Sequence, residues 1–380
     1  MSGLRPRALD AIVLRAPLPR PVEAPMGRMT HRSALLVRIE DRDGAVGWGE
    51  AWCNFPAVGA DHRAALLRTA IAPLLLGREF ENPEAAFEHL TRATHLPALQ
   101  AAEPGPFAQA IAGVDIALWD LWARRQGLPL WRLLGGASPR IPAYASGIGP
   151  GEIEPTIARA QAEGYRAFKL RPWGWQPGHV AAIAAARAQI GPEARLMIDP
   201  NQSWTVDQAL EAVGALAGLG LDWIEEPIPA DAPEADWLAL ARRAPITLAG
   251  GENLRGADFV RALDLGALGV IQPDMAKWGG FSRCVELGKR IRARSRRFCP
   301  HYYGGGVGLL ASAHLLAAVG GDGMLEVDVA DNPLRRRLIA LPALVEGGWA
   351  LSDAPGLGAT PDPAVLREFG RALESGPAPV

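Results

Sequence analysis

Short apolar runs that end in a charged residue recur along the middle of the chain. Their end residues are Lys169, Asp199, Glu225, Glu252, Asp274, His301 and Glu326, spaced 22 to 30 positions apart. Ala- and Leu-rich segments typical of amphipathic helices lie between them. This spacing is close to the roughly 31 residues per unit expected for a barrel of eight βα units. Because such barrels keep their active site at the carboxyl ends of the strands, the pattern predicts an α/β barrel and locates its chemistry.

The first third of the chain has a different pattern, with strands first and helices afterwards. Strands are predicted over 9–17, 33–40 and 46–50, with a hairpin turn at 41–44. Helical stripes follow over 64–75, 85–99 and 107–125. The segment 19–30 has the composition of a mobile loop, and the segment 52–56 has that of a surface loop. This order of elements is typical of an α+β domain.

A Gly/Pro-rich connection at 127–136 marks the predicted boundary between the two domains. The first barrel strand is predicted at 141–145. Crossover helices are predicted at 152–164, 180–190, 206–219, 236–243, 256–265, 279–294 and 307–319. We therefore predict an α+β domain over 1–130, a barrel domain over 131–340, and a tail over 341–380 that packs back on the first domain.

Composition narrows the class of protein. The 380 residues are 49% hydrophobic and 21% charged, with a net charge of -2, which argues against nucleic-acid and membrane-surface partners. Three scattered cysteines suit a reducing cytosol better than a disulfide framework. The start of the chain lacks the apolar core of a signal peptide, and no stretch approaches 18 uncharged apolar residues. We expect a cytoplasmic globular protein.

Three carboxylates end consecutive predicted strands: Asp199, Glu225 and Glu252. Neighbouring strands lie about 4.8 Å apart, so these side chains are expected to converge, which is unfavourable unless a cation neutralises them. An all-oxygen ligand set selects a hard ion, and Mg²⁺ fits best. The alternatives are that each acid caps the following helix and that Glu226 replaces its neighbour as the ligand.

The remaining strand ends supply groups for acid–base chemistry. Asp274 beside His301 would fix the imidazole tautomer and raise its pKa, giving a usable base. Lys169 and Arg171 lie two apart on one strand, so they point to the same face and could bind an anionic substrate such as a carboxylate. Glu326 could donate a hydrogen bond if the site raises its pKa, or it could be a structural acid.

Several motifs besides these residues carry a resemblance to a known family. The chain resembles the mandelate racemase and muconate-lactonizing enzyme branch of the enolase superfamily over nearly its whole length. The motifs are Val114–Asp120, Leu133–Gly136, Lys277–Gly280 and the ordered set Lys-x-Arg, Asp, Glu, Glu, Asp, His, Glu. Because Asp274 stands where the muconate-lactonizing subgroup has a catalytic lysine, the pairing with His301 favours the mandelate racemase subgroup.

The resemblance implies a modified (β/α)7β barrel under an α+β capping domain that the carboxyl-terminal tail completes. It implies Mg²⁺-dependent removal of the proton α to a carboxylate through an enediolate, with the His or Lys base established for this superfamily. The loops 20–30 and 52–56 would close the site and select the substrate. Substrate-binding candidates are Met26 and Asn54 in these loops, and Asn201 and Tyr302 after strand ends. Relatives commonly form homo-oligomers.

One residue departs from the commonest family pattern. Many relatives carry Lys-x-Lys on the second strand, whereas this chain has Arg171, a poor base at neutral pH. We therefore favour one-base dehydration of an acid sugar or related hydroxy acid. The alternatives are a racemase or epimerase that uses Lys169 and His301 as opposed bases, and a non-enzymatic binding protein on the same scaffold.

Overall fold

The computed structural model describes residues 3–370. Residues 371–380 of the predicted tail lie outside this range. The amino-terminal part contains strands β1 (Pro6–Ala24), β2 (Gly27–Asp41) and β3 (Val46–Ala51), followed by helices α1 (Gly59–Leu66), α2 (Ala72–Leu75), α3 (Pro83–Gln100), α4 (Pro104–Arg125) and α5 (Leu130–Leu133). A π-helical turn, Leu67–Ile71, joins α1 to α2. The three strands form an antiparallel sheet in the order β1-β2-β3.

The strand and helix predictions for this part are confirmed, but the prediction of a mobile loop over 19–30 is wrong. β1 and β2 continue as a long hairpin through Ala24 and Gly27, which pair with each other at its tip. The register shifts between Pro17 and Val22, where Pro19 and Pro21 lie. Prolines lack an N–H donor, and β1 tolerates them because it is an edge strand.

Helix α4 packs across the sheet at unusually short range, and two glycines of β3 make this possible. A Cβ atom on Gly47 would lie 2.1 Å from the carbonyl oxygen of Ala117, and one on Gly49 would lie 2.1 Å from that of Gly113. Real side chains do not reach such distances, so only glycine allows this approach. The sheet and α4 thereby enclose the core of the capping domain.

The second part is a barrel of eight parallel strands. They are β4 (Arg140–Ile148), β5 (Ala167–Leu170), β6 (Arg195–Ile198), β7 (Leu221–Glu225), β8 (Leu248–Gly250), β9 (Val270–Ile271), β10 (Arg297–Phe298) and β11 (Leu325–Asp328). Each of β4 to β9 pairs with the next strand, and β11 pairs with β4. Between β10 and β11, the Met324 N–H donates to the Cys299 Sγ at 3.4 Å.

Seven helices connect these strands on the outside of the barrel. They are α6 (Ile153–Glu163), α7 (Gly178–Ile190), α8 (Val206–Ala215), α9 (Glu234–Arg243), α10 (Ala257–Leu265), α11 (Gly280–Ala293) and α12 (Gly306–Val319). The predicted (β/α)7β barrel with an α+β capping domain is therefore confirmed. Within residues 3–370, no helix is both long and apolar enough to cross a membrane.

Inside the barrel, one apolar side chain from each strand or its flank forms a layer that we call the basal layer. It consists of Tyr144, Ala167, Met197, Trp223, Ala249, Val270, Cys299 and Met324. All are buried, and the rings of Tyr144 and Trp223 meet edge to face with centroids 5.6 Å apart. This layer fills the barrel interior, as expected for a packed core.

The tail contacts both parts of the molecule. The short helix α13 (Pro333–Arg336) precedes it, and the tail contains the ribbon β12 (Leu344–Val345) and β13 (Gly348–Ala350), and α14 (Pro363–Phe369). β13 pairs antiparallel with β4 of the barrel, whereas Gly370 pairs with Leu14 of β1. The exact domain limits stay a prediction. They are 1–130 together with 341–380 for the capping domain, and 131–340 for the barrel.

Candidate active site

A second layer of side chains lies directly above the basal layer, and we call it the upper layer. Side chains on one strand alternate between its two faces, so residues two positions beyond the basal layer also face inward. These residues are Ser146, Lys169, Asp199, Glu225, Gly251, Gln272, His301 and Glu326. Six of the seven charged strand-end residues found in the sequence lie in this layer or immediately after it.

Lys169 lies at the centre of the upper layer and is fully buried. Its Nζ lies 2.8 Å and 2.7 Å from the two carboxylate oxygens of Glu225. The same Nζ lies 2.7 Å from Glu326 Oε1 and 3.7 Å from Asp199 Oδ2. Burial would lower the pKa of Lys169, but the charges of Glu225 and Glu326 outweigh burial and raise it. Lys169 is therefore an ammonium group held between carboxylates.

Glu225 and Glu326 have further polar partners. Gln272 Nε2 donates to Glu225 Oε2 at 2.6 Å, and Ser146 Oγ donates to Glu326 Oε1 at 2.6 Å. Burial raises the pKa of Glu225 to about 7 in spite of Lys169. Burial acts in the same direction on Glu326, but Lys169 and His301 outweigh it and lower the pKa of Glu326. The raised pKa that a donor role for Glu326 requires is thus not found.

His301 and Asp274 form the predicted pair. The Nδ1 of His301 lies 2.8 Å from Asp274 Oδ2, and the backbone N–H groups of Ala276 and Lys277 donate to Asp274 Oδ1. On its other side, His301 Nε2 lies 3.0 Å from Glu252 Oε2. Burial opposes protonation of His301, but Glu252, Glu326 and Asp274 together raise its pKa well above the usual value. The imidazole is fixed in orientation from both sides.

Glu252 is shared between His301 and a lysine. Lys277 Nζ lies 2.6 Å from Glu252 Oε2 and 5.0 Å from the ring centroid of Trp52 in the capping domain. Burial would raise the pKa of Glu252, but His301 and Lys277 outweigh burial and hold that pKa well below its usual range. The segment 52–56 therefore reaches the barrel mouth, and the Trp52 N–H donates to the Ala276 carbonyl at 3.2 Å.

Arg171 lies beside the upper layer and borders a cavity of about 750 Å³. Its guanidinium carbon lies 5.3 Å from the ring centroid of Tyr303, and its buried Nε has no hydrogen-bond partner among residues 3–370. Arg32 also contacts Tyr303, and it lies 3.7 Å from Asp328. The cavity is also lined by Leu18, Pro19, Pro21 and Val22 of β1. The structure thus brings Arg171 to the barrel mouth, where its Nε has no partner among the described residues.

The donor chemistry of Asp199, Glu225 and Glu252 suits a hard divalent cation. Burial also raises the pKa of Asp199, so its charge is unfavourable here without further positive charge. However, within residues 3–370 no three His, Cys, Asp or Glu side chains are arranged to bind one ion together. Glu225 instead contacts Lys169, and Glu252 contacts His301 and Lys277. The residues fit the ion by chemistry, and their convergence on it stays a prediction.

Glu226, the alternative to Glu225, faces away from Lys169. It accepts hydrogen bonds from the Gly251 N–H at 3.3 Å and from Asn253 Nδ2 at 2.9 Å. It lines a separate cavity of about 660 Å³, and burial raises its pKa to about 8. Of these two neighbours, only Glu225 contacts Lys169, the residue that also lies near Asp199.

The substrate-binding candidates are placed differently from one another. Asn54 Nδ2 donates to the carbonyl of Tyr303 at 2.5 Å, which places this loop residue at the mouth. Asn201 follows Asp199 closely, and its N–H donates to Asp199 Oδ1 at 2.8 Å. Met26 lies at the turn of the β1–β2 hairpin with 54% of its surface exposed. Their contact with substrate stays a prediction.

Tyr302 does not face the site, which corrects its choice as a substrate-binding residue. Its hydroxyl bonds to the carboxylate of Glu50, and its ring lies against Gly304 and Gly308. His301 and Tyr303 face the opposite side, as the alternation of side chains along an extended chain requires. Tyr303 therefore takes the place at the mouth that was predicted for its neighbour.

Three site residues did not emerge from the sequence as contributors to the site: Ser146, Gln272 and Lys277. The signal for Ser146 and Gln272 was present, because each follows a basal-layer residue by two positions. The contact between Lys277 and Glu252 joins residues 25 positions apart, on either side of α10 and β9, and no local pattern indicates it.

The Gly304–Gly306 loop lies where many barrels bind phosphate. Here a carboxylate of the capping domain occupies that position. Glu50 accepts hydrogen bonds from the Gly305 N–H at 2.6 Å and from the Gly308 N–H at 2.9 Å. The glycines thus provide close approach to Glu50, which takes two of the N–H groups that a phosphate would use.

Two family models match the chain. The model for the mandelate racemase / muconate lactonizing enzyme N-terminal domain matches residues 8–135, and the enolase C-terminal domain-like model matches residues 153–365. The D-galactarolactone cycloisomerase of Agrobacterium fabrum is 32% identical, covering 95% of this chain and 98% of that protein. The 3,6-anhydro-alpha-L-galactonate cycloisomerase of Streptomyces coelicolor is 34% identical, covering 76% of this chain and 80% of that protein. The arabinonate dehydratase of Saccharolobus solfataricus is 27% identical, covering 88% of this chain and 90% of that protein.

Solved structures agree with this assignment. A mandelate racemase/muconate lactonizing enzyme from Bordetella bronchiseptica is 51% identical and superposes with a TM-score of 0.91, covering 97% of this chain and 99% of that chain. A racemase from Streptomyces coelicolor with bound magnesium is 30% identical and superposes with a TM-score of 0.86. The superposition covers 96% of this chain and 100% of that chain. The chain therefore belongs to the mandelate racemase and muconate lactonizing enzyme family of the enolase superfamily.

Proposed function

We propose that this protein removes the proton α to the carboxylate of an acid sugar and expels the oxygen substituent on the β-carbon. The observation that carries the proposal is the His301–Asp274 pair, 2.8 Å apart, with no second free base beside it among residues 3–370. Lys169 is bound by two carboxylates, and Arg171 is too basic to accept a proton. One-base elimination fits this arrangement better than proton exchange between two faces.

His301 acts as the base and Asp274 holds its tautomer. To accept a proton, His301 must be neutral, and Glu252 is the strongest of the charges that raise its pKa. A shift of Glu252 away from Nε2 would lower this pKa and free the nitrogen that faces the site. Lys169 and Arg171 lie two residues apart on one face and would orient the substrate carboxylate. This arrangement supports membership of the mandelate racemase subgroup.

Asp199, Glu225 and Glu252 would hold Mg²⁺. The bound magnesium in the similar Streptomyces coelicolor racemase and the hard oxygen donors here support this assignment. When bound, the ion supplies positive charge beside the substrate carboxylate, where negative charge develops as the α-proton leaves. The ion would engage Glu225 and Glu252, the carboxylates that contact Lys169 and His301.

The leaving oxygen distinguishes two versions of the same reaction. A free hydroxyl leaves as water, and the resulting enol becomes a 2-keto acid, which is dehydration. A ring oxygen of a lactone or an anhydro sugar stays attached after elimination, which is the cycloisomerase outcome. The curated relatives named above include both types of enzyme. We favour dehydration, with ring opening as the closest variant.

A racemase or epimerase is the second candidate. Lys169 Nζ and His301 Nε2 both approach Glu326, at 2.7 Å and 3.9 Å from its two oxygens. Two basic side chains thus lie near one carboxylate, and an N-succinylamino acid racemase of Thermus thermophilus is 31% identical over 83% of this chain. This reaction requires Lys169 to lose a proton while it remains among carboxylates, which is unfavourable.

The proposal is tested by incubating the Mg²⁺-loaded protein in D₂O with acid sugars and their lactones, including D-galactarolactone and arabinonate. We expect a 2-keto acid product, detected by NMR, that carries solvent deuterium at the former β-carbon. His301→Asn should slow formation of this product by about 10²- to 10⁴-fold. Deuterium at the α-carbon with inversion and no keto acid would instead establish racemisation. No turnover and no α-proton exchange across the library would contradict both, and would favour a binding protein.

A further inference from the structure

Two buried carboxylates of the capping domain end at the amino termini of two neighbouring barrel helices. Glu50 belongs to β3 and contacts α12, whereas Asp115 belongs to α4 and contacts α11. Their side chains are buried, with 1% of each residue exposed. The strands that precede these two helices lead into Asp274 and His301. The capping domain thus contacts the barrel directly behind the proposed base and its partner.

Glu50 binds the chain on the far side of His301. Its carboxylate accepts the N–H groups of Gly305 and Gly308 and the hydroxyl of Tyr302. Tyr302 is adjacent to His301 and points the opposite way, so a fixed Tyr302 ring restricts the backbone that carries the imidazole. There is little spare room, because a Cβ on Gly305 would lie 2.8 Å from Glu50.

Asp115 binds the start of α11 in the same manner. It accepts the backbone N–H of Ser282 at 3.1 Å and the hydroxyl of the same residue. Ser282 Oγ also accepts from Trp119 Nε1 at 3.0 Å, so α4 holds this residue at two points. A Cβ on Gly280 would lie 2.2 Å from Asp115 Oδ2. Only the short turn after Asp274 separates these contacts from the dyad.

Helix amino termini leave N–H groups without partners, and a carboxylate there forms strong hydrogen bonds to them. Such a cap normally comes from the residue just before the helix. In α11 and α12 the residues before the helix are Gly279 and Gly305, which have no side chain that could cap the helix. The capping domain supplies the missing acceptors, so the position of both helix starts depends on domain docking.

We propose that Glu50 and Asp115 are positioning residues that set the distance and orientation of the His301–Asp274 pair from the capping domain. This inference rests on the proposed function for the role of the pair, but the structural coupling can be measured without any substrate. It assigns the capping domain a part in aligning the base, in addition to covering the barrel mouth.

The test uses Glu50→Gln and Asp115→Asn in the full-length protein. Each replaces one of the two carboxylate oxygens by an –NH2 group, which cannot accept from an N–H donor. Protein labelled with ¹⁵N-histidine reports the His301 Nδ1 proton through its low-field resonance, which His301→Asn assigns by its disappearance. We expect each variant to move or broaden this resonance. Amide exchange over 301–308 for Glu50→Gln, and over 276–282 for Asp115→Asn, should be about 10- to 100-fold faster, as for the loss of a hydrogen bond to a charged group.

Asp120→Asn is the matched control. Asp120 also lies on α4, is fully buried, and accepts the N–H groups of Trp48 and Leu357, but it does not contact α11 or α12. It should leave the His301 resonance unchanged. If Glu50→Gln does not fold, Tyr302→Phe removes the hydroxyl contact while keeping the carboxylate, and should move the resonance less.

An unchanged His301 resonance and unchanged exchange in both variants would overturn the proposal. The same disturbance in Asp120→Asn would also overturn it, because the effect would then reflect general loosening of the domain. Absence of turnover with every acid tested would refute the proposed function and leave these two measurements intact. The two ideas therefore fail separately.

Discussion

The basal and upper layers of the barrel arise from the same strands, two residues apart, and differ in chemistry rather than in burial. Trp223 and Met197 are fully buried in the basal layer, and Lys169 is equally buried in the upper layer. The basal layer is stabilised by removing apolar surface from water. The charged groups of the upper layer lose their hydration on burial, and close ion pairs compensate for this loss. One layer therefore maintains the fold, and the other is kept for its chemistry.

The largest expected effect is on activity, in the upper layer. His301→Asn removes the proposed base and should lower turnover by about 10²- to 10⁴-fold, the usual contribution of general base catalysis. The free energy of unfolding should not fall in proportion, because the Asn amide can donate to Asp274 in place of the imidazole, and Lys277 still pairs with Glu252. Steady-state kinetics and urea denaturation on the same preparations check this. A parallel loss of stability and activity would erase the distinction between the layers.

The next effect concerns stability, in the basal layer. Trp223→Ala leaves a cavity against Tyr144 and should lower the free energy of unfolding by about 3 to 5 kcal/mol. Trp223→Phe is the control, since it keeps much of the packing and should cost less. Chemical denaturation measures both. Because Trp223 Nε1 also lies 3.3 Å from Glu225 Oε2, a loss below 1 kcal/mol would indicate that the indole serves the site more than the core.

Metal binding should give an effect of intermediate size. At free Mg²⁺ about 100-fold above its dissociation constant, the native state should gain about 2.7 kcal/mol, measured as a rise in thermal midpoint. Glu225→Gln should remove most of this gain. Glu226→Gln should retain it, because Glu226 faces the other side of the strand. Equal responses of these two neighbours would contradict the assignment of the metal ligands.

The smallest effect is expected where the layers meet. The buried Tyr144 hydroxyl has no hydrogen-bond partner among residues 3–370, and its ring lies 5.4 Å from Lys169 Nζ. Tyr144→Phe keeps the ring and should change the free energy of unfolding by less than about 1 kcal/mol, with stability unchanged or raised. Turnover should remain that of the wild type. A strong loss of activity would show that the hydroxyl belongs to the upper layer.

Prediction from sequence succeeded wherever the signal was local and periodic. The spacing of strand ends indicated the barrel, and the order of charged residues indicated the pairing of Asp274 with His301, which is confirmed. It failed over 19–30, where proline and glycine suggested a loop but the pairing of β2 with β1 extends a hairpin. It also chose Tyr302 over Tyr303, because two adjacent tyrosines cannot be ranked without knowing which face of the chain is inward.

The sequence alone determined which residues stand at the strand ends and, through the alternation of extended chain, which of them share a face. Apart from the pairing of Asp274 with His301, only the tertiary structure decided their partners. Glu50 meets Gly305 across 255 residues, and Lys277 meets Glu252 across a segment that includes α10 and β9. Such contacts depend on how two domains dock and on how buried charges find opposite charges nearby. Neither is encoded in a local period, so the sequence specifies the groups of the site while the fold specifies their pairing.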